Sequence, residues 1–406
     1  MTFDLSGLLH EGVSTKILFV VLDGLGGYAD AEHGSELEEA ATPNLDRLAA
    51  AGAVGLHESV APGITPGSGP SHLALFGYDP VAYNLGRGVL SAAGLDVKLS
   101  EGDVAARANL ATLDDQGRVT DRRAGRIPDA EAAEVVSLLS QRVSIDGVEV
   151  SFTPESQHRV LVVLRGDGLS PEVTDTDPQA LGVAPLAPEP RPGLAGEAKT
   201  AAQRTAEVLG ELDRQVRDAL RDHPKANVLL LRGYDSHREL PSMADRYGLM
   251  PLAVAIYPMY LGLARLVGME ALQASTIDGQ LTLLADHWIN FDFFFFHYKA
   301  TDAAGEDGNF DAKVAAIETF DAVVPELTAL EPDVLVVTGD HATPSQMAAH
   351  SWHPVPVLLS GARVGRDDVT RFGERWCAAG GFGRRPATDI MPLVLAAAGR
   401  LAKYGA

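Results

Sequence analysis

The chain of 406 residues is short of thiols, aromatic side chains and positive charge. Its single cysteine, Cys377, excludes an intrachain disulfide, which fits a reducing compartment. Aromatic residues make up 6%, and Trp288, Trp352 and Trp376 follow no coherent stacking pattern. Lys and Arg number 33 against 55 Asp and Glu, a formal net charge of −22. A surface that acidic repels a polyphosphate backbone and an anionic leaflet, so neither nucleic acid nor membrane is an expected partner. No apolar run reaches membrane-spanning length, and the first residues, MTFDLSGLLHEGVSTK, lack the basic start of a signal peptide. The expectation is a soluble cytoplasmic protein. If its ligand is anionic, positive charge must be concentrated locally, by arginines or bound metal ions.

At roughly 150 residues per domain, the length predicts two or three domains. Short apolar runs stop abruptly at polar residues: 17–22 before Asp23, 228–231 before Arg232, 291–296 before His297, and 334–338 before Gly339 and Asp340. Continuous runs of that length predict strands covered on both faces, as in a parallel sheet, and the phenylalanines 293–296 belong to such a strand. Helical patterns lie between them at 42–51, 198–221 and 311–330, the first with Pro43 just inside its start and Gly52 just past its end. The fold class predicted is α/β, a doubly wound sheet whose sites form at the carboxyl ends of its strands. Between 99 and 194 the texture changes. Strand-like pieces at 104–113, 148–152 and 159–164 surround a helix at 129–141, and Pro-rich LGVAPLAPEPRPG closes the stretch. This predicts a smaller α/β domain, 99–194, inserted between 1–98 and 195–406, with a stiff return linker.

Metal-type ligands follow the strands. Asp23 ends VVLDGLGG, Asp302 follows FFFFHYKATD, Asp340 and His341 follow VLVVTGDH, and His350 lies nine residues after His341. Carboxylates mixed with imidazole suit Mn²⁺ or Zn²⁺, and two such ions close together clamp the oxygens in phosphoryl transfer. Taken singly, a strand-end Asp forms caps or turns and a lone His is an ordinary surface or core residue. Their joint position carries the functional reading. The loop GITPGSGPSHLALFGYDP presents Ser68 in a tight turn, where a hydroxyl beside metal ions can attack phosphorus without a histidine base. Ser71 reads as the N-cap of a segment beginning at His72. The third signal is RANLATLDDQGRVTDRRAGR, with Arg107, Arg118, Arg122, Arg123 and Arg126 within 20 positions. Guanidinium forks there suit a small dianionic metabolite and favour a lid carrying part of the substrate site over a solvated strand face. GLGG after Asp23 is neither a dinucleotide fingerprint nor a P-loop.

Together these segments, with ATPNLDRLAAAG, GRGVLSAAG, LLLRG, KATDAAGEDGNFDAKVAAIE and VTGDHATPSQMAAHSWHPVPVLL, resemble the archaeal-type branch of the cofactor-independent phosphoglycerate mutases, within the alkaline phosphatase superfamily. The resemblance spans nearly the whole chain. It implies interconversion of 3-phosphoglycerate and 2-phosphoglycerate, an isomerase reaction of glycolysis, through a phosphoserine enzyme without free 2,3-bisphosphoglycerate. It implies two divalent ions, manganese first with magnesium or zinc as alternatives, and a small phosphorylated hydroxy acid as substrate. Carried over by position, Ser68 is the nucleophile. One ion takes Asp23, Ser68, Asp340 and His341, and the other Asp302, Glu306 and His350. Arg122, Arg123 and Arg126 hold substrate, with Arg87, Arg107 and Lys299. His353 is a loop residue that could exchange roles with His350.

Three positions depart from the family pattern. The family commonly has SDTA or NSEVGH where this chain has SGPSH, so Gly69 replaces the acid after Ser68. Glu306 stands where His is common, shifting that site towards oxygen donors. Leu261 stands where a basic residue is expected, with Arg265 as a substitute. Two other functions remain open on sequence alone: a phosphatase or another phosphomutase of the superfamily, and a catalytically silent metabolite-binding relative.

Overall fold

A computed structural model describes residues 4–405 apart from 11, 32 and 84. The chain forms two compact units, 1–84 with 240–406, and 85–239. Among the described residues thirteen strands divide between them. The first unit holds β1 (Ile17–Leu22), β2 (Ala53–Glu58), β8 (Pro251–Ala255), β9 (Glu270–Gln273), β10 (Phe293–Tyr298), β11 (Val334–Thr338), β12 (Val355–Gly361) and β13 (Gly383–Pro386). The second holds β3 (Val104–Leu113), β4 (Val119–Asp121), β5 (Glu149–Ser156), β6 (Arg159–Arg165) and β7 (Val228–Ser236).

The first unit is one eight-stranded sheet in the order β13-β2-β12-β11-β1-β10-β8-β9. Both faces of its centre are buried. Leu18, Val20, Phe294 and Phe296 face one core with Ile317 and Phe320, while Phe19, Phe293 and Phe295 face the other, all without solvent exposure. Phe76, just past the helix Ser68–Leu75, meets Phe295 edge-on at 5.0 Å and helps seal that second face. Apolar side chains on every position of a strand leave no wet face, which is why these runs do not alternate. The helices at Pro43–Ala51 and Phe310–Ala329 lie where the sequence predicts them. The sheet is not wholly parallel: β12 runs antiparallel to both β11 and β2. Among the described residues no helix is long and apolar enough to cross a membrane.

The second unit is wider than the predicted 99–194. Its sheet is antiparallel, β4-β3-β6-β5, with β7 completing it against β3. The strand 228–231 and the helix Gly196–Ala219, expected in the main domain, belong here. That helix buries Ala202, Leu209, Leu212 and Val216 in the core shared by Ala108, Leu110, Val160 and Leu229. β7 is apolar on consecutive positions because Leu229 and Leu231 face this core while Val228 and Leu230 face a second cluster with Ala111 and Val119. A strand covered twice looks the same in a parallel or an antiparallel sheet, so the sequence pattern could not assign it. The Pro-rich segment is not a linker. It folds back inside the unit through Thr174 N–H to Glu189 O (2.8 Å) and Val119 N–H to Val183 O (2.8 Å).

The unit begins at 85 because the helix Arg87–Gly94 lies directly on β3. A Cβ at Gly88 would stand 2.1 Å from the carbonyl oxygen of Ala105, in backbone that cannot yield. Gly88→Ala is therefore expected to destabilise the protein by about 1–3 kcal/mol, read as a lower urea midpoint, because overpacking against backbone forces a shift of the helix.

Candidate metal and phosphoryl-transfer site

The predicted ligands Asp23, Ser68, Asp302, Glu306, Asp340, His341 and His350 all lie in the first unit, Asp23 after β1, Asp302 and Glu306 after β10, Asp340, His341 and His350 between β11 and β12, and Ser68 at the start of the helix that follows β2. Asp23 follows β1 and is fully buried. Its Oδ2 accepts from the Tyr260 hydroxyl and lies 3.0 Å from Lys299 Nζ, leaving Oδ1 without a hydrogen bond. Asp340 follows β11. Its Oδ1 accepts from Gly24 N–H at 3.0 Å, and its Oδ2 is left without one. The two open oxygens face the same atom, His341 Nε2, at 3.5 and 3.2 Å, and Ser68 Oγ lies 3.2 Å from that nitrogen.

Around Asp302 a second group gathers, with His341 and His350. Asp302 sits in the short helix Ala300–Glu306, buried, with Oδ2 2.5 Å from Lys299 Nζ and Oδ1 accepting from Thr343 Oγ1 at 2.6 Å. His350 Nε2 lies 3.7 Å from Asp302 Oδ1 and 3.7 Å from Glu306 Oε1. Glu306, one turn after Asp302, is more than half exposed and stands at the edge of the group.

Hydrogen bonds set which nitrogen of each imidazole is available. Thr343 Oγ1 donates to Asp302, so its oxygen accepts from His341 Nδ1 at 3.0 Å, and the lone pair of His341 is on Nε2. His350 Nδ1 donates to Pro66 O at 3.0 Å, which again leaves Nε2 as the ligand atom. Both rings are oriented as metal-binding histidines are, by a bond from the other nitrogen. His341 Nε2 points at Asp23, Asp340 and Ser68, and His350 Nε2 at Asp302 and Glu306.

Three carboxyl groups, of Asp23, Asp302 and Asp340, are buried with one lysine. Burial and the Asp23 charge push Asp340 well above the usual carboxylate range. Burial also acts to raise Asp23, but His297, 3.4 Å away, and the Lys299 ammonium outweigh it and hold that carboxyl well below. Burial likewise keeps His341 neutral by lowering its pKa well below the usual value. Two orphaned carboxylate oxygens, a neutral imidazole lone pair and a partly buried hydroxyl that converge here fit a divalent cation.

Several residues of the site were not legible as such. Tyr260 and His297 stack at 3.5 Å behind Asp23, and His72 Nδ1 donates to Ser68 O at 2.8 Å, fixing the turn that carries the Ser68 hydroxyl. Burial and the neighbouring His297 lower the pKa of His72 to about 3, so it is neutral. Ser71 is not an N-cap: the helix starts at Ser68, and Ser71 Oγ donates to Gly67 O from inside it. Leu261 is buried in the helix Pro258–Leu266, and the neighbouring Tyr260 is the residue that reaches Asp23. His353 bonds Ser351 and stacks on Tyr28, outside both groups. Gly24 must be glycine: its φ is +63°, and a Cβ would meet Thr343 Oγ1 at 2.5 Å and Asp302 Oδ1 at 2.6 Å.

The arginines lie in the second unit. Arg107 and Arg232 are opposite one another in the β3–β7 register. Like charges placed so destabilise a sheet. Arg232 Nε is buried without a hydrogen bond, and burial with the charges of Arg87 and Arg107 pulls its pKa down to about 10. Arg122 forks onto Asp177 at 2.9 and 2.6 Å. Arg123 and Arg126 are exposed, and their charges, after burial and Arg159, help lower buried His158 to about 4. Arg118 pairs with Asp114 in an exposed turn. Sequence reasoning missed Arg232 because its strand was assigned to the other domain.

The profile of the family described as 2,3-bisphosphoglycerate-independent phosphoglycerate mutase matches residues 49–226. A probable enzyme of that name from Thermus thermophilus is 50% identical over 404 residues, 98% of each chain. The chain belongs to this family. The probable enzyme of Aquifex aeolicus is 47% identical over 97% of both chains. Among solved structures, a Pyrococcus horikoshii protein superposes with a TM-score of 0.82 at 29% identity, covering 97% of this chain and 100% of that one. The cofactor-independent phosphoglycerate mutase of Thermoplasma acidophilum gives 0.69 at 28% identity, covering 95% and 100%.

One further side chain ties the ligand loops of this family member together. Lys313 is fully buried, and its ammonium donates to Gly26 O at 3.0 Å and Thr343 O at 2.9 Å, with Glu36 Oε2 at 3.7 Å. It thereby joins the loop after Asp23 to the loop that orients His341 and Asp302. Lys313→Met is expected to weaken Mn²⁺ binding roughly tenfold or more, measured by titrating free Mn²⁺ by electron paramagnetic resonance, because it frees the supports of the ligands.

Proposed function

We propose that the protein interconverts 3-phosphoglycerate and 2-phosphoglycerate, without 2,3-bisphosphoglycerate, through a phosphoserine at Ser68. The observation that carries this reading is the convergence of Asp23 Oδ1, Asp340 Oδ2 and His341 Nε2 beside Ser68 Oγ, in a member of this mutase family. Asp23, Ser68, Asp340 and His341 would hold one divalent ion, and Asp302, Glu306 and His350 a second. Manganese is the first candidate, with magnesium favoured over zinc by the carboxylate of Glu306. When bound, the ions supply positive charge that acidifies a hydroxyl and offsets charge on phosphoryl oxygens.

Ser68 Oγ gives up its proton and attacks phosphorus, its P–O bond forming as the bond between phosphorus and the substrate oxygen breaks, and that oxygen takes up a proton to become the hydroxyl of glycerate. His72 holds the Ser68 carbonyl and so fixes the turn. Lys299, between Asp23 and Asp302, contributes a cation towards phosphate. Glycerate is retained by arginines of the second unit, with Arg232, Arg107 and Arg87 central and Arg122, Arg123 and Arg126 flanking. After glycerate turns, its other hydroxyl attacks the phosphoserine, gives up its proton and restores Ser68. The placement of Arg232 opposite Arg107 supports this role, since an anion offsets the repulsion that the register imposes.

Ser68→Ala is expected to lower mutase turnover at least about 10³-fold and to abolish trapped phosphoserine, read by mass spectrometry after acid quench. Turnover that survives this change refutes the mechanism. Arg232→Gln is expected to raise KM about tenfold and to increase inorganic phosphate released per 2-phosphoglycerate formed, since weaker retention of glycerate exposes the phosphoserine to water. Free phosphate appearing as fast as product in the unaltered protein would instead identify a phosphatase.

A further inference from the structure

A cleft lies at the end of the eight-stranded sheet opposite the candidate metal site. Ala53 opens β2 and pairs with Leu359 near the end of antiparallel β12, where the neighbouring parallel strand β11 begins. Asp23 and Asp340 follow the other ends of their strands. A cavity of about 500 Å³ opens there between residues 359–367, residues 381–385 and the helix Ile390–Ala397. Leu359, Phe382, Leu393 and Ala396 give it an apolar floor, and Arg363, Arg366 and Arg385 line it from two separate segments.

Two of these arginines bond a backbone carbonyl, and the third lies beside glycine. Arg366 Nη2 donates to Ala50 O at 2.8 Å. Arg385 Nε donates to Phe382 O at 2.7 Å, with its guanidinium over the Phe382 ring. Arg363 lies against Gly399, where a Cβ would stand 1.5 Å from its Nη1. Among the described residues no carboxylate stands within ion-pair distance of any of the three, although Arg371, Arg375 and Arg384 nearby in sequence each face an acid. The one acid in the cleft, Asp367, spends its carboxylate on the backbone N–H groups of Val54, Gly381 and Val369. In a chain with 55 acids against 33 bases, three uncompensated guanidinium groups around one apolar hollow are an unusual allocation of charge.

We propose that this cleft is a second anion site, which binds a small organic oxyanion, a phosphate or carboxylate head on an apolar body. The guanidinium groups offer several N–H donors to the head, and the floor takes the body. The volume is within the range of small-ligand sites, roughly 300–1,000 Å³. None of its residues is among those assigned to phosphoryl transfer, so the site stands or falls independently of the proposed mutase activity.

Isothermal titration of the full chain with phenyl phosphate, hexanoate and inorganic phosphate tests this. Phenyl phosphate or hexanoate is expected to bind saturably, to keep its affinity in Arg232→Gln, and to lose it about tenfold or more in the double variant Arg363→Gln with Arg385→Gln. Which of the two binds identifies the head group. Inorganic phosphate is expected to bind more weakly than phenyl phosphate, and equal affinity would overturn the role of the floor. Binding that is absent, or that is unchanged in the double variant, overturns the site. Should the double glutamine variant fail to fold, Arg363→Lys with Arg385→Lys keeps the charge and removes the fork. It is expected to weaken binding measurably, and undiminished binding in it overturns the proposal equally.

Discussion

Asp23, Asp302 and Asp340 are buried beside one another, with the partly exposed Lys299 ammonium against both Asp23 and Asp302. Like charges a few ångströms apart in a medium of low dielectric cannot all persist without compensation, and here the conflict divides the carboxyls, Asp340 driven towards its neutral form and Asp23 held ionised. The neighbouring imidazoles give no relief, since burial keeps His72, His297 and His341 neutral. Divalent cations resolve the conflict where a second lysine would not, because they accept the open oxygens and the imidazole lone pairs together. The surrounding structure maintains that demand. Gly24 keeps the space beside Asp302 clear, Thr343 fixes the proton of His341, and Lys313 draws the two ligand loops together from below.

The single antiparallel strand explains how so many ligands come from one stretch of chain. Because β12 reverses direction beside β11, the connection between them, residues 339–354, never leaves the functional end of the sheet. It delivers Asp340 at its start, His341 and Thr343 next, and His350 on its return, where a parallel connection would have carried the chain to the opposite end through a crossover. The remaining candidate carboxylates follow β1, which pairs with β11, and β10, the next parallel strand beyond it. Ser68 alone comes from elsewhere, on a turn fixed by His72.

Strand ends were legible in the sequence because they coincide with a change from apolar to polar residues, and Asp23, Asp302, Asp340 and His341 stand at or just beyond such changes. The insert was legible by texture but not by extent. β7 and the helix Gly196–Ala219 look like main-domain elements, since burial on both faces erases the alternation that distinguishes an antiparallel strand. Arg232 was lost for the same reason. Tyr260 and His297 lie within apolar runs, where an aromatic residue is indistinguishable from core until its hydroxyl or ring nitrogen is seen against a carboxylate. Ser71 was misread because Gly67, not a polar residue, caps the helix that Ser68 begins.

The net charge of −22 sets the terms for an anionic substrate. A uniformly acidic molecule would repel phosphoglycerate, so the attraction has to be local and paid for in stability. The register that places Arg107 opposite Arg232 imposes that cost within a sheet, and burial of Arg232 deepens it. Asp177 and Glu155 relieve only part of it, through Arg122 and Arg107. A phosphoserine by itself is as ready to react with water as with glycerate. What separates a mutase from a phosphatase is the residence of glycerate between two phosphoryl transfers, and in the proposed mechanism that would depend on how strongly the arginines prefer an occupied state to an empty one. In the proposed mechanism the electrostatic strain in the β3–β7 pair would therefore favour isomerisation over hydrolysis, and relieving it with a neutral residue would stabilise the sheet while releasing glycerate.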